Sequence, residues 1–301
     1  MGNLLLLAAC FLLGIILGRT GRLPANAPAT LNAFIINISL PALALLYIHD
    51  LPFDESLLLT PLMPWIVFAA GALFFAGIGR WLELPRRSIG CLMLVGGLGN
   101  TSFVGLPMIE AFYGRQGLGI GILADQPGTF LVLGTIGLAV AARFSSGTLT
   151  ARDAIGRVLR FPPFLAMIAA AALIPVPYPE IVRFLLQKVG DTLAPIALVS
   201  VGMQLRPSHL QGSGRVLLPG LLYKMVLAPA LILLLYACIA GADGMMLRVT
   251  VFEAAMPPMI TGGIVAMEHD LDPPLAALML GIGIPLGFLT LPLWWRLLEM
   301  F

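Results

Sequence analysis

Residues 96–107 read GGLGNTSFVGLP, and no other stretch of the sequence indicates the architecture more clearly. Four glycines, three polar residues and a proline interrupt a run that is otherwise apolar. Proline removes a backbone donor and clashes with the preceding helical turn, and glycine permits backbone angles that are not helical. Residues 253–263, which read EAAMPPMITGG, show the same device with two consecutive prolines. Both stretches predict a helix that is broken near its middle.

The composition indicates that these broken helices lie in a membrane. Of the 301 residues, 59% are hydrophobic and 11% are charged, with a mean hydropathy of +0.99. A soluble domain carries about 25% charged residues. A chain this apolar needs lipid as part of its solvent, so we expect the lipid bilayer to be a partner. The net charge of +2 gives no reason to expect nucleic acid as a partner.

Ten stretches are long and apolar enough to be membrane spans, which need about 20 residues. They cover residues 3–18, 30–48, 61–79, 88–111, 118–142, 161–175, 181–205, 216–239, 246–267 and 274–298. The longest connection, residues 143–160, leaves no room for a soluble domain. The sequence therefore predicts an all-α integral membrane protein with ten transmembrane helices, of which the fourth and the ninth are broken.

The basic residues predict the orientation, because cytoplasmic loops are enriched in Lys and Arg. The loops that follow spans 1, 3, 5, 7 and 9 hold eleven of them, and the opposite side holds five. The eleven are Arg19, Arg22, Arg80, Arg86, Arg87, Arg143, Arg152, Arg157, Arg160, Arg206 and Arg215. We therefore expect a multi-pass protein of the cell inner membrane with both termini outside the cytoplasm.

The two halves of the chain resemble each other. In span 2 Asn37 stands four residues before Pro41, and in span 7 Asp191 stands four residues before Pro195. A run of small apolar residues follows each proline. Five spans in each half is an odd number, so the second half would be inverted relative to the first. Inverted repeats are typical of secondary transporters. The alternative is that proline is common in membrane helices and the match is chance.

Two broken helices at matching positions predict a binding site. Unwound backbone at membrane depth persists only where it is buried in protein or lines a wet cavity. Each break exposes the N-terminus of a half-helix, whose free N–H groups and positive dipole end favour a small organic anion as substrate. The alternative is that glycine and proline only kink helices and let them pack closely. The candidate substrate-binding residues are Asn100, Thr101, Gly105, Pro107, Pro257, Pro258, Met259 and Thr261. We expect the freed backbone around Gly105–Pro107 and around Pro257–Thr261.

Charged residues inside predicted spans are expensive and usually functional. Asp125, Lys224 and Glu253 are the candidates for ion coupling. Lys224 needs an acidic partner or must lose its proton, and either acid could pair with it. Such a pair would be a proton-coupling switch or, alternatively, a permanent ion pair that fastens a domain. We expect H⁺ or Na⁺ as the coupling ion and no other cofactor. Asp191 also lies in a span, and we expect it to form local hydrogen bonds.

Other chemistry finds no support in the sequence. His49, His209 and His269 fall in predicted solvated loops, and none has a second metal ligand at helical spacing, so we expect no metal site. A membrane enzyme would need a constellation such as HExxH or a serine elbow, which the sequence lacks, so no catalytic residue is expected. A polar-lined channel or a membrane sensor without transport coupling remain the alternatives to a transporter.

The pattern NTxxxGxP, which starts at Asn100, resembles the fourth-helix crossover of the auxin efflux carrier family. Residues 254–270 resemble the partner crossover of that family, and residues 31–42 resemble its second helix. The family includes plant PIN-type auxin carriers and bacterial relatives assigned to malonate or other small carboxylates. The resemblance extends over nearly the whole chain.

The resemblance implies a fold of two inverted five-helix repeats, at residues 1–150 and 151–301, like that of bile-acid symporters and NhaA-type antiporters. Spans 1, 2, 6 and 7 would form a scaffold, and spans 3–5 and 8–10 a mobile transport domain. The substrate would sit where spans 4 and 9 cross, transport would follow an elevator mechanism, and two copies would form a homodimer. The chain departs from the plant carriers in its short connection at 143–160 and in span 3, which has no acidic residue between Pro61 and Gly79. A coupling scheme taken from plants is therefore not carried over.

Overall fold

The computed structural model describes residues 2–51, 55–145, 156, 159–205 and 214–301. Outside the described residues lie Arg152, Arg157, Arg206, His209 and most of the connection 143–160. The described chain is helical, and its β-structure is limited to an isolated antiparallel bridge between Gly99 and Pro258. The prediction of an all-α protein is confirmed for these residues.

The helices follow one another with short connections. They are α1 (Gly2–Thr20), α2 (Ala27–His49), α3 (Leu59–Trp81), α4 (Arg86–Val95), α5 (Leu106–Tyr113), α6 (Arg115–Phe144), α7 (Pro162–Leu173), α8 (Glu180–Gln204), α9 (Arg215–Ile239), α10 (Gly244–Ala254), α11 (Ile260–Glu268) and α12 (Pro273–Leu298). A π-helical turn, Thr101–Gly105, leads directly into α5. Over the described residues, six helices are long and apolar enough to cross a membrane: α2, α3, α6, α8, α9 and α12.

The predicted spans and the helices correspond in part. Six predicted spans are helices of membrane-crossing length, one of which, α8, has a turn at Asp191 and Thr192. Predicted spans 1 and 6 are the shorter apolar helices Leu5–Thr20 and Pro162–Leu173. Predicted spans 4 and 9 are each two short helices, α4 with α5 and α10 with α11. A helix of ten residues rises about 15 Å, half the thickness of the hydrocarbon core. Each half-helix therefore reaches only the middle of a bilayer, and the count of ten spans stays a prediction.

Wide π-helical turns lie next to prolines in the long helices. Ile35–Ser39 forms one just before Pro41 in α2, and Tyr223–Leu227 forms another in α9, two residues before a proline. Proline lacks the N–H that would bond the carbonyl four residues earlier, and a wider turn absorbs the misfit. Asp125 begins a π-helical turn of α6, and Lys224 lies in that of α9. Two of the charges inside spans therefore stand where the helix is irregular.

The helices pack in two groups. In the first group α1 lies along α8, and α2 packs against α7 and α8. In the second group α3 packs on α6, α4 on α11 and α12, and α9 on α10. The groups meet where α2 contacts α6 and where α8 contacts the turn before α5. A Cβ added to Gly14 would lie 3.0 Å from the Cα of Gly202, so α1 and α8 approach as closely as small residues allow.

His49 is buried, so its predicted place in a solvated loop is wrong. It is the last residue of α2 and is 8% exposed. Its Nδ1 lies 2.8 Å from a carboxylate oxygen of Asp50, and its Nε2 lies 3.0 Å from the carbonyl oxygen of Val176. The ring stacks on Tyr178 with 3.9 Å between the ring centroids. Because both ring nitrogens face acceptors, the arrangement suits the doubly protonated imidazolium.

Candidate functional site

The two breaks lie side by side and pair through their backbones. The chain is not helical at residues 96–100, after α4, or at residues 255–259, after α10. The N–H of Asn100 donates to the carbonyl of Pro257 over 2.8 Å, and the N–H of Met259 donates to a carbonyl of the first break over 3.2 Å. Each segment thus supplies partners for backbone groups that would be costly to leave unpaired inside a membrane. We call these two segments the paired breaks.

The second of the paired breaks rests on a face of α12 that carries no side chain. A Cβ added to Gly283 would lie 2.7 Å from the ring of Pro258, and one added to Gly287 would lie 2.9 Å from Pro257. The two glycines are four residues apart, so they share one face of α12. The consecutive prolines therefore pack directly against helix backbone, which fixes the second break in place.

Asn100 stands in the first break with one donor unused. The residue is 2% exposed. Its side-chain oxygen accepts from the N–H of Phe103 over 3.2 Å and so caps the turn Thr101–Gly105. The side-chain nitrogen Nδ2 has no hydrogen-bond partner among the described residues. A buried amide donor without a partner is uncommon in a folded protein.

The free backbone lies earlier in the chain than the sequence predicts. We expected it around Gly105 and Pro107, but the N–H of Gly105 donates to the Asn100 carbonyl over 2.9 Å. Pro107 is the second residue of α5, which continues the π-helical turn without interruption. By helix geometry, the N–H groups without a partner in the helix are those of the first residues, Thr101 and Ser102. The wide turn absorbs the proline, so the glycines before Asn100 set the break.

Asp125 is a carboxylate with several hydrogen bonds. It is 1% exposed and accepts from Thr101 Oγ1 at 2.5 Å, from Ser102 Oγ at 2.6 Å and from Gln126 Nε2 at 2.6 Å. Two of these donors belong to the turn that follows the first break. Asp125 therefore ties α6 to that turn and fixes the direction of the Thr101 hydroxyl.

Glu253 is a buried carboxyl group without hydrogen bonds. The residue has an exposure of 0%, and neither carboxyl oxygen has a partner among the described residues. The carboxyl group lies against Gly105, where an added Cβ would come within 2.5 Å of Oε2 and 2.7 Å of Oε1. An added Cβ at Gly121 would lie 3.3 Å from Oε1. Glycine at position 105 therefore makes room for the Glu253 carboxyl group.

Lys224 donates to a carbonyl group and forms no ion pair. Its Nζ lies 2.6 Å from the carbonyl oxygen of Ala254, the last residue of α10, and its side chain is buried. Within the described part of the chain, no ion pair joins it to Asp125 or Glu253. The possible pairing with Asp125 or Glu253 is not formed in this conformation and stays a prediction. The negative end of the α10 helix dipole stabilises the Lys224 ammonium in place of an acidic side chain.

The space between these groups is small. A cavity lined by Gly97, Gly99, Thr101, Lys224 and Glu253, among others, leaves about 10 Å³ open to the centre of a water molecule. That volume holds a single water and no organic anion.

A larger cavity lies between α1, α5 and α8. It measures about 230 Å³ and is lined by Leu6, Leu7, Pro107, Glu110, Ala111, Arg115, Asp191, Ala194 and Pro195. Pro107 is thus the predicted site residue that faces an open volume.

A polar network at this larger cavity joins the two packing groups. Arg115 donates to Asp191 over 2.9 Å and to Glu110 over 3.3 Å. Gln187 donates to the same Asp191 oxygen over 2.5 Å and accepts from Tyr47 over 3.0 Å. The expected local hydrogen bond of Asp191 is present. No sequence pattern indicates the contact with Arg115, which lies in the other half of the chain. Nothing in the local spacing of either residue could have revealed this contact.

The structure thus gathers most of the predicted site. Asn100, Thr101 and Gly105 meet Asp125 and Glu253 in one buried region. Pro257, Pro258 and Met259 form the second break beside it, and Lys224 contacts the end of α10. Thr261 is half-buried in the first turn of α11, and Pro107 lies at the wall of the larger cavity.

The sequence profile of the family described as membrane transport protein matches residues 1–151 and 150–295. The chain therefore belongs to this family, which is the auxin efflux carrier-like family that the pattern at Asn100 resembles. The prediction of that family is confirmed. Membership and the long apolar helices together define a multi-pass membrane protein of a transport family.

Relatives are similar along almost their whole length. An uncharacterized transporter of Methanothermobacter thermautotrophicus is 28% identical over 293 residues, covering 94% of this chain and 93% of the relative. One of Methanocaldococcus jannaschii is 25% identical over 291 residues, covering 93% and 92%. The uncharacterized transporter YfdV of Escherichia coli is 24% identical over 318 residues, covering 98% and 96%. All three are named as transporters and none as an enzyme.

Proposed function

We propose that this protein is a secondary active transporter of a small organic anion, such as a carboxylate of the auxin or malonate type. The observation that carries the proposal is the pairing of two interrupted helices through the Asn100–Pro257 hydrogen bond. Interrupted helices supply N–H groups and positive helix ends at membrane depth, where an anion otherwise has no stabilising partner. Membership of a transport family supports the same function.

The substrate carboxylate would be held by Asn100 and by the first N–H groups of the turn that follows it. Asn100 Nδ2 supports this role because it is a buried donor without a partner among the described residues. An N–H group that donates to a carboxylate forms a charge-assisted bond, which is stronger than a neutral one. The remaining residues of the proposed site are Thr101, Gly105, Pro107, Pro257, Pro258, Met259 and Thr261.

The substrate would enter through the larger cavity beside Pro107. The paired breaks have room for about one water molecule, so this conformation is a closed one in the proposed cycle. A cavity of about 230 Å³ separates α5 from α1 and α8 and could hold a small carboxylate. Separation of the two helix groups at this cavity would then open the way to Asn100.

The transport cycle would be of the elevator type, with the two packing groups as its parts. The group of α1, α2, α7 and α8 would be the scaffold, through which two copies would form a homodimer. The group of α3–α6 and α9–α12 would move and carry the paired breaks. In this proposal ten spans form inverted repeats at residues 1–150 and 151–301, and both termini lie outside the cytoplasm of a cell with an inner membrane.

Coupling to an ion gradient would use the charges buried beside the paired breaks. Asp125, Lys224 and Glu253 come from three different helices and lie close to Asn100. A proton is the coupling ion that such groups bind most directly, since each changes its charge on protonation. A sodium gradient is the alternative driving force.

A polar-lined channel is the second candidate, because buried polar side chains such as Asn100, Thr101 and Asp125 lie within the predicted spans. The single-water volume at the paired breaks favours alternating access over an open pore. A membrane sensor without transport coupling would bind the same anion but pass none.

Counterflow in proteoliposomes tests the proposal. A thermal-shift screen of the purified protein against small mono- and dicarboxylates, with and without sodium and across pH, selects the compound to label. A carrier accumulates this compound against an excess of unlabelled compound inside, and the uptake saturates. Conductance without exchange would identify a channel. A thermal shift without any flux would identify a sensor, and the absence of both would refute an organic anion as ligand.

A further inference from the structure

We propose that Glu253 is the residue that takes up and releases the coupled proton, while Asp125 remains a permanent carboxylate. This inference rests on the proposed transport function and deepens it. The sequence left both acids open as partners of Lys224. Asp125 accepts several hydrogen bonds and Glu253 accepts none from the described residues. This difference indicates which acid holds its charge and which one binds the proton.

The Asp125 carboxylate is stabilised in its ionised form. It accepts three hydrogen bonds of 2.5–2.6 Å, from Thr101, Ser102 and Gln126. Donors aimed at both carboxylate oxygens favour the negative charge, because hydrogen bonds to the ionised form stabilise it. Asp125 therefore keeps its negative charge more readily than Glu253, which is equally buried and has no such donors.

The Glu253 carboxyl group is stabilised in its neutral form. It is as buried as Asp125, yet neither oxygen receives a hydrogen bond from the described residues. A buried carboxylate without donors or a counter-ion loses its hydration without compensation, so such a group carries a proton. The conformation with a closed site is accordingly the protonated one.

Two charged side chains act on Glu253 from neighbouring helices: Lys224 on α9 and Asp125 on α6. The described residues of α3, α5 and α12, which also pack against α10, bring no further charge to it. The Lys224 ammonium donates to the carbonyl of Ala254, the residue that follows Glu253. A rotation of this long side chain would bring the ammonium to the Glu253 carboxylate once the proton has left. Lys224 is thus the counter-ion of the deprotonated state.

The position of Glu253 links its proton to the substrate. Its carboxyl group lies against Gly105, whose N–H bonds the carbonyl of Asn100. A negative charge on Glu253 would add to that of Asp125 and repel a substrate carboxylate at Asn100, whereas a neutral Glu253 leaves one negative charge fewer at the site and would admit the anion. The proton therefore binds to Glu253 before the anion binds, and one proton and one anion cross the membrane in the same state. For a monocarboxylate the charges balance, and the symport moves no net charge.

Infrared difference spectroscopy of the protein without substrate tests the assignment directly. A protonated carboxylic acid shows a carbonyl stretching band that a carboxylate lacks. We expect this band in the wild type and in Asp125→Asn, and its loss in Glu253→Gln. Because no substrate is present, the result does not depend on the proposed anion transport. Loss of the band in Asp125→Asn and its persistence in Glu253→Gln would overturn the assignment.

Gly105→Ala serves as a second variant in case Glu253→Gln does not fold. The added Cβ would lie 2.5 Å from Oε2, so the carboxyl group must move and its band must shift without disappearing. An unshifted band would mean that the protonated acid is not Glu253.

Measuring proton uptake together with uptake of the labelled anion tests the coupling. The wild type should take up one proton with each anion, and the counterflow of Glu253→Gln should lose its pH dependence. An unchanged pH dependence in that variant would overturn the proposal even if anion transport itself is confirmed.

Discussion

The backbone N–H of Asn100 donates to the carbonyl oxygen of Pro257 over 2.8 Å, which fastens one broken helix to the other although they lie in opposite halves of the chain. A second bond, from the N–H of Met259, points the opposite way along the paired breaks. Any movement of α4 and α5 must therefore take α10 and α11 with it. The paired breaks behave as one mechanical unit, and our predictions concern its binding, packing and charge.

Asn100→Ala should lower the affinity for the substrate carboxylate about tenfold or more. The change removes one hydrogen bond to a charged group, a loss of about 1.5–3 kcal/mol. It also removes the cap on Phe103, so Asn100→Asp is tested beside it: this variant keeps an oxygen for the cap and replaces the Nδ2 donor by a negative charge. Titration of the ligand by thermal shift or calorimetry measures both affinities.

Asn37→Ala is the matched control for this affinity prediction. Asn37 is exposed, and among the described residues its side chain bonds only the carbonyl of Ala33 in its own helix, over 2.8 Å. Its removal should leave ligand affinity unchanged. If the Asn100 variants bind the ligand as tightly as the wild type, the substrate lies elsewhere, and the larger cavity beside Pro107 becomes the place to search.

Gly283→Ala should destabilise the protein by about 1–3 kcal/mol, the usual cost of overpacking a core. The new Cβ would stand 2.7 Å from the ring of Pro258, which cannot move because the paired breaks hold it. Gly77→Ala in α3 is the control, since a Cβ there meets nothing within 4 Å. Its replacement in a helix interior should be neutral or stabilising. Thermal unfolding in detergent measures both variants, and equal unfolding temperatures would show that α12 does not support the second break.

Lys224→Met should flatten the pH dependence of transport. Without the ammonium, a deprotonated Glu253 has no counter-ion and keeps its proton across the pH range. The variant also loses the hydrogen bond to the Ala254 carbonyl, at a cost in stability of about 1–3 kcal/mol. Counterflow rates are compared over the pH range in which the variant stays folded. Lys188→Met is the control, because Lys188 is exposed and lies over the Phe184 ring. An unchanged profile in Lys224→Met would make this lysine a structural residue.

Asp50→Asn should lower the unfolding temperature at neutral pH and have less effect in acid. Burial alone would raise the pKa of the Asp50 carboxyl, but hydrogen bonds from Arg183 and His49 outweigh burial and hold this pKa below its ordinary value. A carboxylate with a lowered pKa stabilises the fold above the ordinary value of about 3.9. That contribution disappears as the pH falls through the lowered pKa.

Asp270→Asn is the control for this pH prediction. Asp270 also pairs with an arginine, Arg87, but both side chains are more than half exposed, so their ion pair contributes little. The unfolding temperature should depend on pH as in the wild type. If Asp50→Asn and the wild type show the same pH dependence, the cluster at the end of α2 does not contribute to stability.

A reporter fused after Phe301 tests the proposed orientation. Eleven of the sixteen basic residues in the loops and flanking ends of the predicted spans lie on one side, so the C-terminus should lie outside the cytoplasm. A fused alkaline phosphatase should be active there, and a fused fluorescent protein that folds only in the cytoplasm should be dark. The opposite pair of signals would refute both the ten spans and the inverted repeat.

The breaks could be predicted from sequence because their cause is local. Glycines before Asn100 and the prolines at 257 and 258 act on the backbone within a few residues, so the pattern alone reveals them. The place of the free backbone was predicted too late in the chain, at Gly105 and Pro107. A wide helical turn absorbed the proline, and sequence patterns do not indicate where such a turn forms.

The contacts between distant elements could not be predicted. The depth of Lys224 and Glu253 in their spans suggested an ion pair. In the structure, however, the Lys224 ammonium donates to the carbonyl of Ala254 at the end of α10. The space that Gly105 leaves for Glu253 depends on two helices from opposite halves of the chain. The residue spacing within either half does not predict this contact. The contact between Arg115 and Asp191 could not be predicted for the same reason.

The half-helices have a consequence for the insertion of the protein into the membrane during its synthesis. The α4 segment has 10 residues and α10 has 11, so neither can cross a bilayer alone. The insertion machinery would recognise each half-helix only weakly as a membrane span, because it is short and has polar residues and glycines at its end. The first break also exits the ribosome long before the second, which supplies the partners of its backbone groups. A chain stopped between the two would hold unpaired polar backbone in lipid, so quality-control proteases should recognise truncated products that end before α10.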